Sequence, residues 1–316
     1  VRGSRRVGYV HGAPALQHPS FRHDTHRDGD PLSADGAVDL DAAVALAKHL
    51  VDGGHDGLVL NGTTGESPTT HAPEKADLVR AVVDAVGDRA VIVAGAGSND
   101  TDHSIRMAEQ SAAAGAHGLL VVSPYYSRPS QEGIVQHTTA IADSTDLPVM
   151  VYDIPGRSGV RLTPETYERL AGHDKIVAVK DATGDVYAAA QNIARTGLAW
   201  YSGDDALYLP FLAHGAVGLV SVVGHVVGRE LVEIGQAFQA GDHARATSSF
   251  VRIAPVVDAV MGGGFGVVMI KSALVDLGLI PDGHLRLPQV GATQAEAEVV
   301  RAALRSVGLL GGTAAP

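Results

Sequence analysis

Two hydrophobic patterns alternate along the chain from about residue 35 onward. In one pattern apolar positions recur every three or four residues, which predicts amphipathic helices at 40–51, 74–86, 103–114, 134–142, 164–170, 187–194 and 206–213. In the other pattern short apolar runs predict buried strands at 57–60, 91–94, 118–122, 148–153, 175–180, 199–203 and 218–223. Helices that alternate with buried strands in this way indicate an α/β protein with a parallel sheet.

Such a sheet is either doubly wound or closed into a barrel. The dinucleotide-binding fingerprint GxGxxG does not follow the first predicted strand, whereas loops rich in Gly, Ser, Thr or Pro follow nearly every strand. That distribution is typical of a (β/α)8 TIM barrel, whose active site collects at the C-terminal ends of the strands. The pattern contains seven strands and a barrel of this type needs eight, so the first strand is in doubt.

The apolar pattern divides the chain into three parts. After about Gly241 it is helical only, at 243–261, 266–277 and 293–307. The first 33 residues show neither helical nor strand periodicity. We therefore expect an atypical N-terminal segment at 1–33, a catalytic barrel at 34–241 and a C-terminal helical domain at 242–316.

Composition excludes several classes of protein. The chain has no cysteine, so disulfides, thiolate metal sites and cysteine nucleophiles are impossible. Its formal net charge is −11 and basic residues cluster only at the extreme N-terminus, which argues against a nucleic-acid partner. No apolar run approaches the roughly 20 residues that span a bilayer, and the N-terminal stretch lacks the apolar core of a secretory signal. We expect a cytoplasmic protein without a membrane partner.

The stretch KIVAVKDATG, at 175–184, carries the candidate nucleophile. With a period of two, Ile176, Ala178 and Lys180 share one face of a strand, and Val177 and Val179 share the other. Lys180 then ends a buried strand, where desolvation favours the neutral amine that attacks a carbonyl. A strand-end lysine that points to solvent is the plainer interpretation of this stretch alone. Of the five lysines, however, only Lys180 ends a predicted barrel strand.

Other loops supply candidate partners for that lysine. Tyr152 ends the preceding strand, where a phenol can carry protons, although a core tyrosine bonded to the backbone fits as well. Arg157 follows in a Pro-Gly-Arg-Ser-Gly turn and is either a carboxylate clamp or a solvated loop arginine. In NGTTGES, Thr63 and Thr64 offer hydroxyl donors beside glycines that let the backbone approach a ligand.

Five motifs taken together resemble the dihydrodipicolinate synthase family, which belongs to the superfamily of pyruvate-dependent class I aldolases and N-acetylneuraminate lyases. The resemblance covers about residues 35–310, and two motifs, DIPGRSG and GDDALYLP, look most like actinobacterial members. The motifs are GTTGESPT at 62–69, PYYSRPSQEG at 124–133, YDIPGRSG at 152–159, VKDATG at 179–184 and SGDDA at 202–206.

The resemblance implies a lyase that condenses pyruvate with L-aspartate 4-semialdehyde to 4-hydroxy-tetrahydrodipicolinate, in lysine and diaminopimelate biosynthesis. It implies that Lys180 forms the Schiff base and that Tyr152 exchanges protons, linked through Thr63 to Tyr126 of a neighbouring subunit. It also implies that Thr64 and the backbone at Val220 hold the pyruvate carboxylate. Arg157 would hold the carboxylate of aspartate semialdehyde. No metal or organic cofactor is implied, and a homotetramer built as a dimer of dimers is expected.

One departure from the family concerns feedback by lysine. Ser67, Asn99 and Tyr125 match the pocket in which regulated members bind lysine. Where lysine-sensitive members carry two histidines and a glutamate, this chain has Ala72, Lys75 and His103. A pocket for an ammonium group that gains a lysine and loses a carboxylate should bind lysine poorly, so we expect weak or absent inhibition.

A second departure lies at the N-terminus. The family begins its barrel with a strand resembling AMVTPF, where this chain has RDGDPL at 27–32. One choice of codons for RDGDPL and Ser33, shifted by one nucleotide, spells AMVTPF, which suggests a frameshift or a wrongly joined start upstream of about Ser33. The histidines of this segment, His18, His23 and His26, are not expected to form a metal site. If the segment is genuine, an open edge between the second and eighth strands would weaken the barrel.

Two alternatives to the synthase remain at this level. One is a pyruvate-dependent aldolase or lyase that acts on a sialic acid or a 2-keto-3-deoxy sugar acid. The other is a catalytically dead homologue damaged at its first strand.

Overall fold

Eight parallel strands close into a barrel in chain order in the computed structural model, which describes residues 24–27 and 31–311. The strands are β1 Asp24–Arg27, β2 Gly57–Leu60, β3 Val91–Gly95, β4 Gly118–Val122, β5 Val149–Asp153, β6 Ile176–Asp181, β7 Ala199–Ser202 and β8 Gly218–Ser221. The predicted (β/α)8 TIM barrel is therefore confirmed, and its seven predicted strands match β2 to β8.

The doubt about the first strand is corrected by β1. This strand pairs in parallel with β2 on one side and with β8 on the other, so the barrel has no open edge at that point. Its sequence, DTHR, contains no apolar residue, and a buried parallel strand is recognised by apolar residues. That is why the hydrophobic pattern did not reveal it. The proposed frameshift concerns residues that lie mostly outside the described part of the chain, and it stays a prediction.

Helices follow the strands and form the outer layer. Their bounds are α1 Leu40–Asp52, α2 Ala72–Val86, α3 Thr101–Ala113, α4 Gln131–Asp143, α5 Pro155–Ser158, α6 Pro164–Ala171, α7 Val186–Thr196, α8 Tyr208–Ala213, α9 Gly224–Gln239, α10 His243–Met261, α11 Gly266–Asp276 and α12 Gln294–Ser306, with a short 3-10 helix at Asp205–Leu207. Several helices begin where a side-chain oxygen accepts a hydrogen bond from a first-turn N–H, as at Asp39, Asp100 and Ser130.

Helix α9, which follows the last strand, is absent from the elements that the sequence predicts. Val227 has non-helical backbone angles (φ −120°, ψ 31°) within it, which interrupts the helical periodicity. Gly228 follows because the backbone there approaches a histidine ring: a Cβ at this position would lie 2.2 Å from His55 Nε2. Helix α9 therefore packs closely against His55, just before β2. The predicted division of the chain at 34 and 241 stays a prediction.

Among the described residues, buried strand side chains form the core of the barrel interior, which we call the inner cluster: Val59, Val91, Val93, Leu120, Met150, Tyr152, Ala178, Ala199, Tyr201 and Val220. An irregularity between β5 and β6 shifts the register after the pair Val149–Ile176, so that Met150 pairs with Ala178. As a result Ile176 packs in an outer cluster and Val177 packs against the inner one. The prediction that Ile176 shares a face with Ala178 is therefore wrong, because a bulge breaks the period of two.

Among the described residues no single helix is long and apolar enough to cross a membrane. The pair α10 and α11, bent by 116° at the break between them, meets the criteria of length and composition only when taken together.

Candidate active site

Strands β5 and β6 bring Tyr152 and Lys180 side by side. The two residues are register partners, and Lys180 Nζ lies 4.8 Å from the centroid of the Tyr152 ring. Lys180 is 0% exposed and Tyr152 is 2% exposed. A buried amine beside a phenol can act as a nucleophile with a proton carrier next to it.

Gly203, in the loop after β7, makes room for the lysine side chain. A Cβ at this position would lie 3.1 Å from Lys180 Cε and 3.0 Å from the Cβ of Ala182. Its N–H donates to the carbonyl oxygen of Asp181 at 2.6 Å, which holds the loop close to β6. The glycine of the SGDDA motif is therefore required by the close approach of this loop to Lys180.

A buried carboxyl group faces the same region from the start of the 3-10 helix. Asp205 accepts hydrogen bonds from the Ser221 hydroxyl and from the backbone N–H of Val222. Burial raises the pKa of Asp205, while these hydrogen bonds and the charge of Lys180 act in the opposite direction. Asp205 ties the end of β8 to the loop after β7. This role is not predicted from the sequence, although the SGDDA motif contains the residue.

Two adjoining cavities open beside Tyr152. The smaller has a volume of about 50 Å³ and the larger about 490 Å³. Thr63, Tyr152 and Arg157 line both of them, and Thr64 lines the smaller one. Lys180 lies behind this wall, next to Tyr152 and Gly203. The structure thus places four of the seven predicted site residues on the wall of the smaller cavity, and a fifth, Lys180, next to that wall.

Arg157 reaches the cavities from the short helix α5. Its Cζ lies 4.9 Å from the centroid of the Phe265 ring, a distance typical of a cation–π contact. Phe265 and the first residues of α11 line the smaller cavity as well. The C-terminal helical region therefore supplies part of the wall and orients the guanidinium group.

The two remaining predicted residues lie elsewhere. Tyr126 is 90% exposed, has a left-handed backbone (φ 69°) and lines only the larger cavity of the two. Val220 is fully buried in the inner cluster on β8 and lines neither of the two cavities.

Of the six residues compared above with the lysine-binding pocket of the family, four line the larger cavity. Ser67, Lys75, His103 and Tyr125 line it, while Asn99 is exposed outside its wall. The Lys75 ammonium group donates to the carbonyl oxygen and to the hydroxyl of Ser67, at 2.9 Å each. A protein ammonium group therefore already lies in this pocket.

Two buried carboxyl groups, Asp153 and Asp181, end strands β5 and β6 on the face toward the helices. Asp153 accepts hydrogen bonds from the Tyr167 hydroxyl at 2.8 Å and the Leu162 N–H at 3.1 Å. Burial raises the pKa of Asp153 to about 6 against the effect of these bonds, and burial also raises the pKa of Asp181. Because side chains alternate along a strand, Asp153 and Asp181 follow Tyr152 and Lys180 but point the other way. They support the strand ends rather than the cavity.

Comparisons with known proteins match one family over most of the chain. The model of the dihydrodipicolinate synthetase family matches residues 30–307. The 4-hydroxy-tetrahydrodipicolinate synthase 2 of Streptomyces coelicolor is 58% identical over 279 residues, which cover 88% of this chain and 93% of that protein.

Two solved structures extend the comparison to the fold. The dihydrodipicolinate synthase of Bacillus anthracis superposes with a TM-score of 0.88 at 40% identity, over 90% of this chain and 98% of that one. The enzyme of Cyanidioschyzon merolae, solved with lysine bound, superposes with a TM-score of 0.89 at 38% identity, over 92% and 99% of the two chains.

Proposed function

Because the chain belongs to the dihydrodipicolinate synthetase family, we propose that it condenses pyruvate with L-aspartate 4-semialdehyde and that Lys180 is the amine that holds pyruvate. The product is 4-hydroxy-tetrahydrodipicolinate, a precursor in lysine and diaminopimelate biosynthesis. One observation carries the proposal: the buried Lys180 amine lies 4.8 Å from the Tyr152 ring, beside a cavity lined by two threonines and an arginine.

The chemistry begins with the neutral Lys180 amine. It attacks the keto carbon of pyruvate, and the resulting carbinolamine loses water to give an iminium ion. Loss of a methyl proton converts the iminium ion into an enamine, whose carbon attacks the aldehyde of the second substrate. The amino group of that substrate then attacks the iminium carbon, which closes the ring and returns Lys180 as a free amine. Because the lysine itself acts as the electron sink, no metal or organic cofactor is required.

Tyr152 is the proposed proton carrier. Its phenol lies next to the amine, where it can donate a proton to the leaving hydroxyl of the carbinolamine and accept one in the enamine step. Thr63, on the wall of the same cavities, connects Tyr152 to Tyr126 in this proposal. Tyr126 is 90% exposed on its own chain, which supports a position inside the site of a second subunit. We therefore propose an active dimer, assembled into a tetramer of two dimers.

Local donors hold the two anionic substrates. Thr64 and the backbone at Val220 are proposed to bind the pyruvate carboxylate, and Arg157 the carboxylate of aspartate semialdehyde. The formal net charge of the chain is −11, so the protein as a whole does not attract anionic substrates. The guanidinium group, held against Phe265, supplies the charge where the substrate needs it.

Regulation and location complete the proposal. We propose that free lysine inhibits weakly, because the Lys75 ammonium group occupies the matching pocket and already binds Ser67. Strong inhibition at sub-millimolar lysine in a steady-state assay would contradict this. A cytoplasmic location is proposed because both substrates and the product belong to amino-acid biosynthesis.

A comparison of substrates tests the proposed reaction. We expect purified protein to consume pyruvate and aspartate semialdehyde together, and to show no retro-aldol cleavage of sialic acid or 2-keto-3-deoxy sugar acids. The synthase names of the relatives support this order of preference over the sugar-acid lyase and the dead homologue. Faster cleavage of a sugar acid would favour the lyase, and turnover of neither substrate would favour the dead homologue.

A further inference from the structure

The loop after β2, residues 61–70, carries the two threonines in a backbone conformation that needs outside support. Asn61 and Glu66 have left-handed backbone angles, with φ of 55° and 52°, and both are nearly buried. Residues other than glycine rarely adopt this conformation, and it persists where surrounding contacts fix it. Thr63 and Thr64 lie between these two residues, so whatever fixes Glu66 also fixes the threonines.

Glu66 is held by the C-terminal helical region. Its Oε1 accepts a hydrogen bond from Lys271 Nζ at 2.5 Å, and its Oε2 accepts one from the Arg286 backbone N–H at 2.8 Å. Lys271 also donates to the carbonyl oxygen of His284 at 3.0 Å. The side chains of the ion pair are 1% and 2% exposed. A lysine 205 residues away in sequence thus lies under the threonine loop.

The helix that carries Lys271 also forms part of the cavity wall. Gly266 and Val267 at the start of α11 line the smaller cavity, and Phe265 just before them contacts Arg157. Lys271 lies about one and a half turns further along the same helix. The segment formed by Phe265 and α11 therefore contacts Arg157 directly and the threonine loop through Glu66.

We propose that Lys271 is a positioning residue for pyruvate: its ion pair with Glu66 sets the place of the Thr63–Thr64 turn relative to Lys180. The inference rests on the proposed function, because it needs these threonines to face pyruvate. Buried ion pairs contribute little to net stability compared with apolar replacements of similar size, since desolvation offsets their attraction. The value of this pair lies in the geometry that it imposes on the loop.

The test uses a double variant in which both charges disappear together. Glu66→Gln/Lys271→Met keeps the size of both side chains and leaves no unpaired buried charge, unlike either single variant. We expect KM for pyruvate to rise about 10- to 100-fold, because small displacements of binding groups weaken a site by this order. KM for aspartate semialdehyde and the melting temperature should stay near their wild-type values. Lys48→Met, an exposed lysine on α1, is the matched control and should leave every value unchanged.

The same series separates this inference from the proposed function. Wild-type protein is treated with pyruvate and borohydride, and the mass of the peptide containing Lys180 is measured. An adduct in the wild type with an unchanged KM for pyruvate in the double variant overturns the inference alone. A double variant that does not fold also overturns it, because the pair would then support the fold. Absence of the adduct in the wild type overturns the proposed function and the inference with it.

Discussion

The strand ends and the threonine loop reach the same cavity by different means. Lys180 and Tyr152 end two neighbouring strands, and the hydrogen-bond register of the barrel fixes their separation. Thr63 and Thr64 lie in a loop with two left-handed residues, which depends on Glu66 and its distant partner Lys271. Strand pairing within the barrel thus fixes Lys180 and Tyr152, which carry the proposed chemistry. Contacts from outside the barrel support the loop of Thr63 and Thr64, which are proposed to lie beside the substrate. We expect changes at Lys180 and Tyr152 to affect kcat, and changes in the support of the threonine loop to affect KM.

The largest effect on activity should come from a change at Lys180, which strand pairing holds in place. Lys180→Met removes the amine and keeps an apolar side chain of similar size in a buried position. We expect kcat to fall by on the order of 10⁴-fold or more, because the amine that forms the Schiff base is removed. The melting temperature should not fall, since a buried amine is replaced by an apolar side chain. Residual activity within tenfold of the wild type would show that Lys180 is not the nucleophile.

The next effect tests whether Tyr126 belongs to a site on another subunit. Tyr126→Phe should lower kcat about 10²- to 10⁴-fold, the usual range for loss of a proton-transfer group. If Tyr126 acts across the dimer, mixing it with Lys180→Met under conditions that exchange subunits restores one site in each mixed dimer. Activity should then recover to about a quarter of the wild-type value at equal amounts. A mixture no more active than its components would place Tyr126 in its own chain's site or in none.

A third prediction concerns the free energy of unfolding and the buried carboxyl group of Asp153, which points away from the cavity. The folded protein holds a proton on Asp153 up to pH of about 6, above the ordinary pKa of 3.8. Because the folded state binds this proton more tightly, the wild type loses stability as pH rises from about 4 to 6. Asp153→Asn removes that loss, so its free energy of unfolding relative to the wild type should rise by roughly 3 kcal/mol across this range.

Urea unfolding at several pH values measures this difference. Asp146→Asn, which changes a fully exposed carboxylate, is the control and should follow the wild-type pH dependence. If the curves for Asp153→Asn and wild type run parallel, the buried carboxyl group does not carry the raised pKa.

The smallest effect should come from Arg157. Arg157→Lys keeps the charge but loses the planar pair of donors and the fixed contact with Phe265. We expect KM for aspartate semialdehyde to rise about 10-fold, with KM for pyruvate and kcat nearly unchanged. A larger effect on pyruvate than on aspartate semialdehyde would assign Arg157 to the other carboxylate.

The residues at the strand ends were easier to predict from the sequence than the residues that support the threonine loop. Lys180 and Tyr152 could be placed because a strand's pattern fixes where it ends. Lys75 and Lys271 lie in the predicted helices 74–86 and 266–277 rather than at a strand end, yet both are buried and contact the threonine loop. Nothing local in the sequence marks such a contact, because the partner of Lys271 lies 205 residues away. The misassigned face of Ile176 and the unpredicted strand β1 have a similar cause, since pairing with neighbouring strands decided both.

Borohydride trapping tests the central claim most directly. The protein is incubated with pyruvate, reduced with borohydride and digested, and the masses of the lysine-containing peptides are compared with those of Lys180→Met treated in parallel. We predict one pyruvyl adduct per chain, located on Lys180, and none in the variant. An adduct on another lysine, or no adduct in the wild type, would contradict the account.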